Sequence, residues 1–239
     1  DSVTTIGSGA FSNCSSLTGI VVEEENPRYD SRNNCNAIIE TATNTLVCGC
    51  STTIIPDSVT TIEDEAFSGC KGLTNIVIPD SVTEIGECAF AFCDSLKNIT
   101  IPESVTEIGV KAFSDCTSLE SITIPESVTK IGNLAFVRCS SLKSIVVAEG
   151  NPAYDSRECC NAIIETETNT LIAGCETTII PGTVTKIGRS AFNCITLLES
   201  ITIPESVTEI GRCAFYGCTS LTSIIFQGTI EQWNEIDFG

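Results

Sequence analysis

One phrase recurs seven times along the chain, and its clearest copy reads Ile101-Pro102-Glu103-Ser104-Val105-Thr106-Glu107-Ile108-Gly109-Val110-Lys111-Ala112-Phe113-Ser114-Asp115-Cys116-Thr117-Ser118-Leu119. The prolines of successive copies are 23 residues apart at positions 56, 79, 102 and 125, and again at 181 and 204. Self-similarity at a fixed period is typical of solenoids, in which each repeat forms one coil stacked on the coil before it. The sequence therefore predicts an elongated repeat protein.

Two longer units interrupt the regular repeats. The isoleucine of the Ile-Gly position advances by 23 residues in regular coils, but by 56 from Ile6 to Ile62 and from Ile131 to Ile187. The extra residues are copies of one another, since Asn26-Pro27-Arg28-Tyr29-Asp30-Ser31-Arg32 recurs 125 residues later as Asn151-Pro152-Ala153-Tyr154-Asp155-Ser156-Arg157. We expect one solenoid over 1–239, with regular coils at 1–22, 56–147 and 181–226, long units at 23–55 and 148–180, and a partial C-terminal cap at 227–239 containing Trp233.

The alternation of residues predicts how each coil is built. At 96–101 it places Ile99 and Ile101 inward on a short strand that Pro102 ends. An extended return leg follows, Gly109 permits a bend, and one turn of α- or 3₁₀-helix closes the coil at 112–113. Residues 37–41 and 45–48 of the long unit resemble a β-hairpin beside the regular sheet. The pattern predicts nine strands in one sheet about 40 Å long, at 17–22, 51–55, 73–78, 96–101, 119–124, 142–147, 176–180, 198–203 and 221–226.

The repeat Ile-Pro-x-Ser-Val-Thr-x-Ile-Gly-x-x-Ala-Phe-x-x-Cys-x-Ser-Leu resembles the BspA-type leucine-rich repeat family over nearly the whole chain. The Asn-Pro-x-Tyr segments and the closing residues 228–234 are similar to segments that this family places between and after its regular repeats. The resemblance implies a leucine-rich repeat solenoid, mainly β, that is secreted or exposed on the cell surface of host-associated anaerobic bacteria or mucosal protozoa. It also implies adhesion to host matrix glycoproteins, other cells or receptors, but it identifies no partner.

Cysteines recur with the repeat. Neighbours on adjacent coils would have Cα atoms about 5 Å apart, but side chains that point in parallel toward the core have poor geometry for a disulfide. We therefore expect a ladder of buried free thiols in a reducing or anoxic setting. Ile195 takes this position where Cys194 comes one residue early, as expected of a small apolar site. The ladder position, three residues after phenylalanine, holds Cys14, Cys70, Cys93, Cys116, Cys139 and Cys218.

The long units contain further cysteines. Four of them repeat at 125 residues and are expected in the core of the long units: Cys35, Cys160, Cys50 and Cys175. The close pairs Cys48 with Cys50 and Cys159 with Cys160 are the places to check for oxidation.

Several kinds of chemistry are excluded by what the sequence lacks. It has no histidine and no Cys-x-x-Cys pair, so Ser-His-Asp and Cys-His catalysis and the usual zinc spacing are missing. A carboxylate pair among the 31 acidic residues would allow hydrolysis, but nothing distinguishes one pair from solvated surface charge. We expect no enzymatic activity, no cofactor and no resident metal.

The net charge of −19 is arranged in columns, because coil stacking repeats each acidic position. A hydrated, screened face accounts for such columns, and weak binding of divalent cations by carboxylate ladders is the alternative. Nucleic acid is not an expected partner, because the 12 Lys and Arg residues form no basic stripe. No apolar run approaches the ~20 residues of a membrane-spanning segment. The columns comprise Asp57, Asp80, Glu103 and Glu126 after proline, and Glu84 and Glu107 before Ile-Gly.

Two sets of residues are candidates for binding a partner. The outward positions of the strands form the default surface of a solenoid, and they carry Asn75, Asn98, Thr100, Ser121, Thr123 and Ser144. The loops of the long units offer aromatic and guanidinium groups at Arg28, Tyr29, Arg32, Tyr154 and Arg157. Each set also has a structural explanation: the first suits any sheet surface, and the tyrosines could anchor the hairpin on the coil.

These features predict a non-enzymatic adhesion or protein-recognition module that binds host or microbial proteins or glycoproteins through many weak contacts. The alternative is a structural spacer or a self-associating coat or stalk segment. Because the chain begins in mid-repeat at Asp1-Ser2-Val3-Thr4, we expect a fragment whose first coil needs cover. An adhesin should lose binding, and keep its fold, when the residues at 28, 29, 154 and 157 are changed to alanine.

Overall fold

A computed structural model describes residues 2–239, so of the first partial repeat only Asp1 lies outside it. The chain forms a solenoid of stacked coils with three sides: a front strand, a short return strand and a side built from turns. Within the described residues one α-helix forms, at Ile230–Asn234. The predicted fold class is confirmed.

The front strands form two separate parallel sheets. Their register pairs equivalent positions of successive coils, as in Ile76 with Ile99 and Ile122 with Ile145, and each of these isoleucines points into the core. The alternation predicted inward and outward positions correctly. One sheet contains Asn75–Val77, Asn98–Thr100, Ser121–Ile124 and Ser144–Val147, and the other contains Ser200–Ile203 and Ser223–Phe226.

The prediction of one nine-stranded front sheet is wrong at three places. Residues 17–22, 51–55 and 176–180 do not form regular strands. The long units occupy their hydrogen-bonding groups instead: Ile54 N–H donates to Cys35 O, and Ile179 N–H to Cys160 O, both at 3.0 Å. The front sheet is therefore broken wherever a long unit enters the stack.

The return legs are hydrogen-bonded as a second ladder, which the sequence analysis did not foresee. Each hairpin is confirmed, with antiparallel strands Ala37–Glu40 and Thr45–Gly49, and Ala162–Glu165 and Thr170–Gly174. The hairpins extend this return ladder and not the front sheet, because Thr45 pairs with Thr61 and Thr170 with Lys186. The return strands are Thr61–Ile62, Glu84–Ile85, Glu107–Ile108, Lys130–Ile131, Lys186–Ile187 and Glu209–Ile210.

Each long unit also contains a two-residue strand and a short 3₁₀-helix. The strands Tyr29–Asp30 and Tyr154–Asp155 pair antiparallel with the first strand of their hairpins. The 3₁₀-helices Arg32–Asn34 and Arg157–Cys159 follow. All of these elements occur at the same positions in both units, 125 residues apart, so the two units provide an internal comparison.

The turn side of a regular coil is not the helical turn that the sequence predicted. Lys111 and Asp115 have φ values of 54° and 58°, so the backbone alternates between right- and left-handed conformations. This alternation directs N–H groups along the solenoid axis: Phe113 N–H donates to Ala135 O of the next coil at 2.9 Å. Hydrogen bonds between coils thus replace those of a helix.

The glycine of the Ile-Gly position is needed for close stacking of the coils. A Cβ at Gly109 would lie 2.5 Å from the carbonyl carbon of Gly86, and one at Gly132 would lie 2.5 Å from that of Gly109. These separations are well below van der Waals contact. The sequence predicted a bend at Gly109, but the role of this glycine is to let adjacent backbones approach.

The interior contains two main apolar clusters. Phe67, Phe90, Phe113 and Phe136 stack with ring centroids 5.0, 5.4 and 5.5 Å apart. A second stack of Phe192 on Phe215 belongs to the C-terminal cluster. At the C-terminal end, Trp233 packs edge-on against Phe226 at 5.3 Å. The core is thus continuous within each group of regular coils and changes at the second long unit.

The predicted thiol ladder is confirmed in the inner coils, where Cys70, Cys93, Cys116 and Cys139 are buried. Each inner thiol donates to a carbonyl of the coil before it, for example Cys116 Sγ to Phe90 O at 3.1 Å. At the ladder's ends Cys14 is exposed and Cys218 half-buried. Ile195 is buried at the substituted position, and all fifteen cysteines of the described chain are free thiols. The core positions predicted for Cys35, Cys50, Cys160 and Cys175 are confirmed.

Candidate partner-binding surfaces

The front face presents two outward rows of side chains. The first, here called the polar row, has Asn75, Asn98 and Ser121 exposed and Ser144 half-buried. The second, here called the outer row, stands two residues before each proline or its equivalent and contains Val21, Ile54, Val77, Thr100, Thr123, Val146, Ile179, Thr202 and Ile225. Both rows lie on backbone that the hydrogen-bonded coils hold rigidly, so they form one regular surface.

The outer row is more apolar than the sequence analysis recognised. Its six aliphatic members are exposed by between 45% at Val146 and 83% at Val21. Ile54 and Ile179 were not among the predicted contact residues. Their distance from Pro56 and Pro181 is the signal that identifies them. Exposed aliphatic side chains in one row along stacked coils are typical of a surface that becomes covered.

A shallow depression of about 360 Å³ lies on the front face between two coils. Asn75 and Asn98 of the polar row border it, and Val77 and Thr100 of the outer row form part of its wall. Four of these positions can therefore contact one partner group at the same time. On the next coil, the predicted contact residue Ser121 pairs with Asn98, and Thr123 of the same strand pairs with Val146.

An acidic column runs along one border of the front face. The residues directly after proline, Asp57, Asp80, Glu103, Glu126 and Glu205, are all exposed. They repeat with the coil spacing, as the sequence predicted. In residues 2–239 no group of three or more Cys, Asp and Glu side chains is arranged to hold a metal ion. Binding of calcium by this column stays a prediction.

The two tyrosines of the long units are buried, with exposed fractions of 4% for Tyr29 and 5% for Tyr154. The Tyr29 hydroxyl accepts the N–H of Ile6 at 3.1 Å, and the Tyr154 hydroxyl accepts that of Ile131 at 2.9 Å. Burial raises the pKa of Tyr154. Each ring anchors its unit to the coil before it, so neither tyrosine is available to a partner, which corrects its assignment as a contact residue.

Arg32 and Arg157 hold the long units together. Arg157 Nη2 lies 2.7 Å from Asp155 Oδ2, and its Nη1 reaches Asn169 and Thr183. Arg32 makes the same contacts to Asp30, Asn44 and Ser58. The hydrogen bond from Arg32 is the main cause that lowers the pKa of Asp30. These guanidinium groups are occupied within the chain and offer a partner only their edges.

Arg28 is the exposed member of the predicted set. Its side chain is 48% exposed and lies 2.8 Å from Glu40, with the guanidinium carbon 5.8 Å from the centre of the Tyr29 ring. The pKa of Glu40 is lowered, first by the Thr43 hydroxyl and then by Arg28. The second unit has Ala153 at this position. Arg28 is therefore an exposed charged residue that the second unit lacks.

Comparisons with known proteins identify the family of the repeat. The model of the BspA type leucine rich repeat region matches residues 1–45, 38–157 and 168–239, in six copies. A search of curated proteins finds no match. Among residues 2–239, no helix has the length and apolar character needed to cross a membrane.

Solved structures of similar fold come from several bacteria. A leucine-rich cell surface protein from Faecalibacterium prausnitzii is 25% identical, with a TM-score of 0.54 over 97% of this chain and 78% of that one. The pneumococcal vaccine antigen PcpA is 23% identical, with a TM-score of 0.59 over 78% of this chain and 53% of that one. A leucine-rich repeat protein from Eubacterium ventriosum is 20% identical, with a TM-score of 0.54 over 84% and 70%. With its repeat pattern, its stacked coils and the family model's match over most of its length, the chain belongs to the BspA-type leucine-rich repeat family.

Proposed function

We propose that this protein is a non-enzymatic recognition module, secreted or exposed on the cell surface, that binds a host or microbial protein or glycoprotein through its front face. The observation that carries this proposal is the outer row, which places exposed aliphatic side chains in one row on the front face, both on the front sheets and on the non-strand segments beside them. The adjacent polar row supplies amide and hydroxyl groups. A partner could thus bury apolar area and form hydrogen bonds on successive coils.

The similarity to a cell surface protein of Faecalibacterium prausnitzii supports the proposed location. The distribution of carboxyl groups supports recognition over hydrolysis. Burial raises the pKa of Glu63 and of Asp115, but these residues are on different coils and neither lines the cavities described here. Asp115 is also paired with Arg138 at 3.2 Å.

The test is capture of host extracellular and mucosal glycoproteins on immobilised, reduced protein at physiological salt. The variant V77S/V146S/I179S removes aliphatic groups from the outer row without touching the core, and should lose most of the captured partner while its circular dichroism spectrum is unchanged. A matched control changes Thr83, Thr106 and Thr129, exposed residues beside the return ladder, to serine. Equal capture by both variants would overturn the front-face assignment.

Replacing Arg28, Tyr29, Tyr154 and Arg157 by alanine, the test that the sequence suggested, does not separate binding from folding. Three of these side chains hold the long units in place. A structural spacer is distinguished differently: it would capture no glycoprotein and would show concentration-dependent self-association in sedimentation.

A further inference from the structure

The first long unit binds a guanidinium group of its own. Arg28 donates from Nε to Glu40 Oε1 at 2.9 Å and from Nη1 to the carbonyl oxygen of Thr4 at 2.8 Å. The other carboxylate oxygen, Glu40 Oε2, accepts the Thr43 hydroxyl at 2.6 Å. The unit therefore shows which groups form a guanidinium site at this corner of the fold: one carboxylate oxygen, the Thr4 carbonyl oxygen and the ring of a buried tyrosine.

The second long unit keeps every one of these acceptors. Glu165 occupies the position of Glu40, and its Oε2 likewise accepts a hydroxyl, that of Thr168. Thr129 occupies the position of Thr4 at the end of the return ladder, and Tyr154 that of Tyr29. Among residues 2–239, no group donates to Glu165 Oε1 or to the Thr129 carbonyl. The two units differ in the cation, because Ala153 occupies the position of Arg28.

The second site also opens into a cavity of about 340 Å³ between the coils on either side of the long unit, lined by Tyr154, Glu165, Thr170, Ile172, Arg189 and Ser190 among others. In the first unit the corresponding coils are joined directly. Ser12 donates to Glu65 at 2.7 Å, Ser8 to the Asp64 carbonyl at 3.1 Å, and Asn13 N–H to Ser68 O at 2.8 Å.

The counterparts of these bridging residues explain why the second cleft is open. Val137 and Ser190 replace Ser12 and Glu65, and Arg189 replaces Asp64. Valine cannot donate the bridging hydrogen bond, and no hydrogen bond joins the two coils here within the described chain. The carboxylate of Glu165 is therefore reachable from solvent beside a space large enough for a side chain.

We propose that Glu165 and the Thr129 carbonyl bind an arginine side chain of a partner protein beside the buried Tyr154 ring, in the place that Arg28 takes in the first unit. Carboxylate and carbonyl oxygens match the fixed, forked arrangement of guanidinium donors better than they match an ammonium group. The net charge of −19 would favour the approach of such a basic segment. This inference deepens the proposed function, on which it rests, by naming a group of the partner and a second contact site.

Two positively charged side chains near the site affect how tightly it binds a guanidinium group. Lys130 forms an ion pair with Glu107. Arg189 also lines the cavity, and no carboxylate pairs with it among residues 2–239. The positive charge of Arg189 opposes entry of the partner's guanidinium group, so Arg189→Ala should tighten binding of a cationic ligand.

The test uses the peptide acetyl-Gly-Arg-Gly-amide, titrated into ¹⁵N-labelled protein and followed by amide chemical shifts. We expect saturable binding with a Kd on the order of 1 mM, as suits a single side chain. The peptide with citrulline, which has the shape of arginine without its charge, should bind at least about tenfold more weakly. A lysine peptide that bound as tightly as the arginine peptide would overturn the assignment to guanidinium.

Variants locate the site. Glu165→Gln keeps the acceptor for Thr168 but removes the charge, and should weaken binding by about tenfold or more. Ala153→Arg should abolish binding, since the chain would then supply its own guanidinium, as the first unit does without loss of fold. Glu40→Gln is the matched control and should leave binding unchanged. Binding that resists both Glu165→Gln and Ala153→Arg would overturn the proposal.

The outcome separates this inference from the proposed function. If the unmodified protein captures glycoproteins through its front face but does not bind the arginine peptide, only the arginine site is refuted. Loss of capture in V77S/V146S/I179S with normal peptide titration would locate the front face and leave the arginine site standing.

Discussion

At the residue scale, the thiols show how burial controls chemistry. Burial raises the pKa of Cys70 to about 11 and that of Cys139 to about 12, from an ordinary value of 9.0. The thiolate is the reactive form, so these groups are both shielded and protonated at neutral pH. Cys14, Cys159 and Cys213 are exposed. The same residue type therefore has two roles in one chain, set by position in the coil.

We predict that iodoacetamide modifies the exposed cysteines of the native protein at pH 8 and leaves Cys93, Cys116 and Cys139 unmodified until urea unfolds it. Peptide mass spectrometry measures this directly. Labelling of the inner ladder at the rate of Cys159 would contradict the burial described above.

The raised pKa values also predict the direction of pH dependence. Below pH 9.0 the ladder thiols are neutral in both the folded and the unfolded state, so their contribution to stability is complete. Above pH 9.0 the unfolded chain releases protons that the folded chain retains, so the free energy of unfolding falls until about pH 12, by up to about 1.4 kcal/mol per pH unit for each thiol. Urea denaturation at pH 8 and pH 10.5 tests this pH dependence. The free energy of unfolding of a Cys139→Val variant should fall less between the two pH values than that of the unmodified protein.

Arg157 supports the second long unit through charged hydrogen bonds, and its side chain is 25% exposed. We predict that Arg157→Ala lowers the free energy of unfolding by about 1–3 kcal/mol, because Asp155, Asn169 and Thr183 lose a common donor. Arg138→Ala removes the ion pair with Asp115, in which the arginine side chain is 56% exposed. This change should alter the free energy of unfolding by no more than about 0.5 kcal/mol. Urea denaturation of both variants makes the comparison, and equal losses would refute the distinction.

At the scale of elements, contacts between coils define the structure more than contacts within a coil. Return strands of two residues, such as Glu107–Ile108, are too short to be stable alone. They persist because each pairs with the coil before it and the coil after it. At each long unit the next return strand is absent from this place in the stack. The tyrosine hydroxyl there accepts the hydrogen bond of Ile6 N–H or Ile131 N–H in place of that strand.

Close stacking of glycines gives a prediction at this scale. Gly109→Ala should destabilise the protein by about 1–3 kcal/mol or more, because its Cβ would lie 2.5–2.6 Å from backbone atoms of residues 86 and 87, which cannot move without parting the coils. Gly182→Ala is the control, since no atom lies within 4 Å of the added Cβ. Thermal unfolding of the two variants measures the difference. A Gly109→Ala protein as stable as the Gly182→Ala protein would rule out the stacking role.

At the scale of the whole molecule, the second long unit divides the solenoid into two cores. The phenylalanine stack of the first core ends at Phe136, and that of the second begins at Phe192. The cavity described above lies between these coils. The stability of a repeat protein depends on the interfaces between neighbouring repeats. The coils on the two sides of a weak interface can therefore unfold in separate steps.

We predict that Ile201→Ala unfolds the C-terminal coils in a separate step at lower urea than the rest. Ile122→Ala, at the same repeat position in the longer core, should instead lower the main transition, and both isoleucines are buried, with 3% and 2% exposed. Each loss should be about 2–5 kcal/mol within its own core. Hydrogen exchange of the two variants assigns the steps to residues, and a single shared transition in both would show that the cores are not separable.

Much of this molecule follows from sequence alone because a repeat imposes the same local choice many times. The 23-residue period, the inward isoleucines, the thiol ladder and the hairpins were all predicted, since alternation and self-similarity report burial directly. The outward residues Asn75, Asn98 and Thr100 were also placed on the exposed face. These features depend on neighbours within a coil or on its copies, and both are visible in the pattern.

The tertiary structure decided what depends on how unlike segments meet. Only stacking shows that the hairpins join the return ladder, that Tyr29 and Tyr154 are buried anchors, and that Gly109 is required by the backbone of Gly86. The comparison of Arg28 with Ala153 likewise became informative only once Glu40 and Thr4 were seen around the guanidinium. The physical reason is that hydrogen-bond partners between coils are set by geometry across 23 to 56 residues, which periodicity alone does not encode.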